Sequence, residues 1–187
     1  RILYEGRADE IETDDVYLAI GHSARDTYQW LYELGLPMQP KPFAIGVRIE
    51  HCQSAISAAQ YGQVWEQLPP SDYRLSCHLP SGRSAFSFCV CPGGQVVASA
   101  SEPGHLVTNG MSYADRAGEN ANAALLVTVN PRDLPGEGPL AGMYWQREIE
   151  EAAFAAGGGG YKAPAQKVGD FLTGVPSDGP GAVQPSY

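Results

Sequence analysis

Four stretches combine reactive side chains with small residues that would let a ligand approach closely. The first is Gly21-His22-Ser23-Ala24-Arg25. Read as a hydrolase elbow, it would stand Ser23 as a nucleophile on a strained strand-to-helix turn. Arg25 then occupies a place where that elbow takes a glycine for close strand–helix packing. Read structurally, Ser23 is an N-cap whose hydroxyl accepts a helix N–H. Read as a cofactor turn, Gly21, His22, Ser23 and Ala24 bring backbone N–H groups and a helix N-terminus against a bound group. The third reading is the favoured one.

The second candidate is thiol and imidazole chemistry at Cys77-His78 and Cys89-Val90-Cys91. Structural zinc takes ligand pairs separated by two to four residues, and neither pair has that spacing. No metal is expected. Cysteines beside Phe88 and Val90 in a strand read as small buried hydrophobes. A C-x-C in one strand puts both thiols on one face, but a disulfide between them is strained. The third stretch, residues 101–111, is dense in small and polar groups and reads as a site-bearing loop. The fourth is Gly157-Gly158-Gly159-Gly160-Tyr161-Lys162, which could wrap an anion with Lys162 as the charge. It matches neither a P-loop nor G-x-G-x-x-G, and a hinge between helices is its plain alternative.

Apolar periodicity indicates the elements that would position these groups. Residues 1–15 read as a charged hairpin around Glu5-Gly6. Residues 16–20 are five apolar residues in a row, as in a strand buried on both faces of a parallel sheet. A helix follows, capped by Ser23, with Asp26 in its first turn and Ala24, Tyr28, Leu31 and Leu34 on one face. Gly35 and Pro37 stop it, and the proline-dense residues 38–42 mark a boundary. Beyond them, strands are expected at 43–49, 73–79, 84–91, 95–101 and 123–129, with a short helix at 53–61. Pro92-Gly93-Gly94 reads as a hairpin turn. Helices at 139–156 and 164–172 precede a Gly/Pro/Ser-rich tail that reads as a linker or frayed end. The expected fold class is α+β. It comprises a mainly antiparallel sheet or small barrel with two C-terminal helices, preceded by a β-hairpin and strand–helix fragment of a nucleotide-binding α/β domain.

Composition bounds the function. Of 187 residues 43% are hydrophobic, enough for a core. The 22 glycines and 15 prolines make about a fifth of the chain, against a usual ~12%, so short elements and tight turns are expected. A net charge of -9 repels phosphate backbones, and no nucleic-acid partner is expected. No apolar run is long enough to span a membrane, and the N-terminus lacks the build of a signal peptide. Four cysteines are too sparse for a disulfide scaffold, so a cytoplasmic setting is expected. The chain starts at Arg1 inside a hairpin, which reads as a piece of something longer.

Several blocks together carry a resemblance. Residues 16–27, 43–51 and 101–111, Phe88-Cys89-Val90-Cys91-Pro92-Gly93-Gly94, residues 120–127 and residues 157–166 are similar to a family of bacterial FAD-dependent dehydrogenases. Cys52 stands where that family has a proline. In the family an inserted domain splits the flavin-binding domain. The resemblance implies that residues 1–38 belong to the flavin domain, with Gly21, His22, Ser23 and Ala24 passing close to FAD. It implies that residues 39–175 form the insert over the substrate side and that 176–187 lead back. The dinucleotide fingerprint is absent here, so FAD is expected in a full-length parent rather than on this segment alone. Partners would be the remainder of the flavin domain and a small-molecule substrate. Cys89, Gly93, Gly94, Glu102, Thr108, Asn109, Gly110 and Lys162 are the substrate-side candidates. A serine hydrolase using Ser23 and a non-catalytic binding module are the alternatives.

Overall fold

In the computed structural model, residues 2–4, 7–9 and 12–186 are described, with side chains from 12 to 186. The chain divides into two compact units, Arg1–Leu36 and Pro37–Tyr187.

In the first unit, β1 (Ile2–Tyr4) pairs antiparallel with β2 (Arg7–Asp9), Leu3 opposite Ala8. The turn expected at Glu5-Gly6 lies outside the described residues. Residues 16–20 are not a strand, contrary to expectation. A strand exists through its partners, and none among the described residues pairs with this run. Val16 and Tyr17 are therefore exposed, Tyr17 to 91%. Helix α1 (Arg25–Glu33) starts two residues after Ser23, with Ala24 at the N-cap. It ends in a left-handed Gly35 (φ 80°), whose N–H bonds the Tyr32 carbonyl while Leu36 N–H reaches the Leu31 carbonyl. Leu31 is buried, whereas Tyr28, Trp30, Tyr32 and Leu34 face solvent.

In the second unit, β3 (Phe43–Cys52) runs into α2 (Gln53–Tyr61) and a 3-10 turn (Gly62–Gln67). Next come β4 (Ser76–His78), β5 (Ser84–Cys91), β6 (Gly94–Ser99), β7 (Val107–Ser112) and β8 (Asn120–Val129). Helices α3 (Ala141–Ala156) and α4 (Val168–Thr173) close the order. An antiparallel sheet has the order β3-β8-β5-β4, and β6-β7 form a separate ribbon. The α+β class with a mostly antiparallel sheet is thus as expected, the sheet being open rather than barrel-like.

Local differences have local causes. Residues 107–112 were expected in a loop but form β7, because a polar strand one hairpin from β6 gains its ladder by pairing rather than by burial. The helix expected from 164 starts at Val168. The tail makes hydrogen bonds to β6 and β8. Asn120 Nδ2 donates to the Gln184 carbonyl (2.8 Å), and the Ser186 hydroxyl accepts from Val96 N–H (2.7 Å).

β3 and β8 pair without interruption over ten residues, Phe43 opposite Val129 through Cys52 opposite Asn120. Side chains alternate between the two faces. One face carries Arg48, Glu50 and Asn122; the other carries Ile49, His51 and Leu125. The β5–β8 pairing slips: Phe88 faces Ala124, but the next pair is Cys91 with Asn122. Three residues of β5 therefore span what two span on β8, which is a bulge.

Candidate functional site

The bulge is where the unusual features of this chain converge. Cys89 has φ 48°, a left-handed conformation that costs a non-glycine residue about 1–3 kcal/mol. Across the sheet, Arg48 Nη1 donates to Asn122 Oδ1 (2.6 Å) and to the Cys89 carbonyl (3.3 Å). The Cys91 thiol donates to the same carbonyl (3.4 Å). Cys91 is buried and Cys89 is exposed. Burial pushes the Cys91 thiol above its usual range, the neighbouring Cys89 thiol adds to this, and the Arg48 guanidinium opposes it.

Two buried polar atoms here have no hydrogen-bond partner, Arg48 Nε and Asn122 Nδ2. Orphaned buried donors are uncommon, and each of these is available to a water or a ligand atom. Gly110 of β7 closes the cluster. A Cβ there would stand 2.1 Å from Asn122 Oδ1 and 2.3 Å from Arg48 Nη1, so any larger residue would push these two side chains aside. The arrangement holds a fixed cation, two thiols and a strained backbone together, a setting in which the guanidinium can meet a small anion.

Gln53 ties the neighbouring turn in place. Its Oε1 accepts Gly93 N–H (2.8 Å), and its Nε2 donates to Ser57 Oγ and the Ser71 carbonyl (both 3.0 Å). Gly93 and Gly94 are buried. Gly93 lies against Arg116, and its carbonyl accepts Gly118 N–H (3.1 Å).

A second recess lies on the opposite face of the sheet. Ile49, His51, Ile56, Tyr73, Leu75 and Leu125 line an apolar cleft of about 360 Å³. His51 Nε2 meets the Tyr73 hydroxyl at 2.8 Å, and His51 Nδ1 is buried with no partner. Burial lowers the His51 pKa and raises that of Tyr73. A histidine whose folded pKa lies below its ordinary 6.5 loses stability for the fold as pH drops, because the unfolded chain takes the proton first. The fold should therefore weaken as pH falls below about 6.5, and His51→Gln should flatten that slope in urea melts. An unchanged slope would mean that His51 is not desolvated.

The other sequence candidates fall in separate places. Thr108 and Gly110 share one face of β7, and Asn109 is on the other, opposite Val97 of β6. Glu102 pairs with Arg147 of α3 (3.0 Å), and Gly104 N–H reaches the Tyr161 hydroxyl (3.4 Å), so the 101–105 and 157–162 segments meet. The glycine run there ends a helix instead of starting one. Gly157, Gly158 and Gly159 N–H groups bond the carbonyls of Ala153, Ala155 and Phe154. The C-terminal end of α3 bears partial negative charge, so an anion cradle with Lys162 is not what these glycines build.

Gly21, His22 and Ser23 are exposed before α1, Ala24 is half-buried, and the space beside Gly21 (φ 74°) is open. The Asp26 carboxylate already accepts Thr27 N–H (2.8 Å) in the first turn of α1, which disfavours a second anion there. These residues can form an edge that a flat group approaches, but they do not make a grip for FAD phosphates. Without a strand before it, the turn also lacks the geometry of a hydrolase elbow. Among the described residues, no three His, Cys, Asp or Glu groups gather to hold a metal ion, and no helix is long and apolar enough to cross a membrane.

Sequence reasoning missed Arg48, Asn122, Gln53 and the His51–Tyr73 pair. The signal was present for two of them. Arg48 interrupts the apolar run of β3, and Asn122 stands in an Ala/Leu/Val strand. A polar side chain on the buried face of a strand needs a partner, and here each is the other's.

Residues 42–187 match a family described as FAD-dependent protein, C-terminal domain-like. The chain is also 53% identical over 180 residues to an uncharacterized protein of Clostridium beijerinckii. That alignment covers 95% of this chain and 34% of the relative, so the chain spans about a third of that protein's length.

Proposed function

The chain belongs to the family of FAD-dependent proteins with this C-terminal-like domain, and from that premise we propose that it is the substrate-side part of an FAD-dependent oxidoreductase. The observation that carries the proposal is the strained, bulged Cys89 beside half-buried Arg48 and buried Asn122. Strain and orphaned donors persist where function requires them. In this reading residues 39–175 are an inserted domain, and residues 1–38 belong to the flavin-binding domain of a longer, cytoplasmic protein. The exposed Val16, Tyr17, Leu18, Trp30 and Tyr32 support a docking role for the first unit, since so large an apolar surface is normally covered. When bound, FAD would supply the electron transfer, and this chain's residues would shape and polarise the site. Arg48 would hold negative charge near the bulge. Gly110 and Gly93 keep the backbone close-packed beneath it.

The first test is the absorption spectrum of the full-length protein carrying this segment, with mass analysis of what denaturation releases. A flavin spectrum with FAD in the supernatant is expected. A colourless protein that refuses added FAD would leave the family likeness as fold alone. In a flavin-loaded enzyme, Cys89→Ala should lower turnover of an artificial acceptor by about tenfold, a loss of about 1.4 kcal/mol. Unchanged turnover in Cys89→Ala, Glu102→Ala and Asn109→Ala alike would remove this face from the site.

A further inference from the structure

We propose that Cys89 and Cys91 are a dithiol that exchanges electrons with low-molecular-mass disulfides, Cys89 attacking and Cys91 resolving. In a regular strand, residues i and i+2 have Cα atoms about 6.6 Å apart, near the upper limit for a disulfide of about 6.8 Å. Regular C-x-C geometry is thus unfavourable. The bulge departs from that regular geometry. With Cys89 at φ 48°, the chain leaves the extended repeat between Phe88 and Cys91. The Cys91 thiol is drawn back to the Cys89 carbonyl and lies beside the Cys89 thiol. The two cysteines also differ in the way an attacking and a resolving thiol must. Cys89 is exposed and open to a disulfide from solution, whereas Cys91 is buried and reachable only from within.

The exchange balances without any bound group. The Cys89 thiolate attacks one sulfur of a disulfide RSSR. The S–S bond breaks, and RS⁻ leaves and takes a proton from water. Cys91 then gives its proton to solvent, and its thiolate attacks the Cys89 sulfur. The mixed disulfide breaks, and a second RSH leaves. Two electrons pass from the pair to RSSR, and the protein keeps a Cys89–Cys91 disulfide. The Arg48 guanidinium stands beside Cys91 and favours its transient thiolate. The exchange is reversible, so excess reduced glutathione returns the dithiol. None of these steps depends on the flavin reading.

The test uses glutathione disulfide on the chain as it stands, followed by acid quench, alkylation and peptide mass analysis. The peptide holding Cys89 and Cys91 should lose two hydrogens and carry no glutathione, and reduced glutathione should restore both alkylation sites. In Cys91→Ser the same treatment should leave glutathione on Cys89 in most molecules, and in Cys89→Ser it should leave Cys91 unmodified. Exposed Cys77 serves as an internal comparison, since an isolated surface thiol gains glutathione and forms no internal bond. The proposal fails if wild-type Cys89 simply accumulates glutathione as Cys77 does, or if both thiols stay alkylatable throughout. The wild-type mass shift requires no variant, so a misfolded Cys91→Ser would not shield the idea. A colourless parent would sink the flavin reading and leave this result untouched.

Discussion

Replacing Gly93 by alanine should destabilise the second unit by at least about 3 kcal/mol, lowering Tm by roughly 10 °C. Two penalties coincide. Gly93 has φ 52°, which disfavours any Cβ, and that Cβ would stand 1.8 Å from the Arg116 carbonyl oxygen and 2.3 Å from its carbon. The obstacle is backbone, and it is locked in turn, because Gly118 N–H bonds the Gly93 carbonyl and Arg116 is itself at φ 50°. Gly104→Ala is the matched comparison. Its φ of 76° is as unfavourable, but nothing lies within 4 Å of the added carbon, so its cost should be only about 1 kcal/mol. Thermal and urea melts of both variants would separate strain from clash. Equal losses would show that the 92–94 turn and the 116–118 segment are not interlocked.

Gln53→Ala should cost about 2–4 kcal/mol, because three hydrogen bonds end on one buried side chain. Removing it leaves Gly93 N–H and the Ser71 carbonyl inside the protein without it. Gln53→Glu adds a pH signature. The carboxylate can still accept Gly93 N–H, but it then faces the Ser71 carbonyl with no proton to offer. Burial and that opposing oxygen would raise its folded pKa above the unfolded value of ~4.3. A raised folded pKa means that stability is best below the unfolded pKa and is lost as pH rises through the folded one. The gap between Gln53→Glu and wild type should thus narrow on acidification, while that of Gln53→Ala should hold. Two parallel, pH-independent gaps in urea midpoints would refute the burial of this hub.

The sequence by itself determined the elements whose pattern is local. Helix α2 begins and ends at the expected residues, β5 does likewise, and α3 differs only by starting two residues after Pro139. Amphipathic periodicity, β-branched runs and glycine stops are short-range properties, so they are readable without neighbours. The charge, the thiol count and the family likeness were also legible, and the FAD-dependent family is the one that the chain matches.

Tertiary structure decided everything that depends on a partner. Residues 16–20 have the composition of a buried strand yet form none, since a ladder is a property of two segments. Val107–Ser112 has the composition of a loop yet is a strand, since β6 supplies the other half. The bulge at Cys89 follows from a one-residue slip against β8, and strand-to-strand register is not written in either strand alone. The same slip sets Cys91 opposite Asn122, beneath Arg48, and leaves Cys89 at the surface. Cys89 and the arginine were visible as letters 41 positions apart, and only pairing across the sheet made them one site.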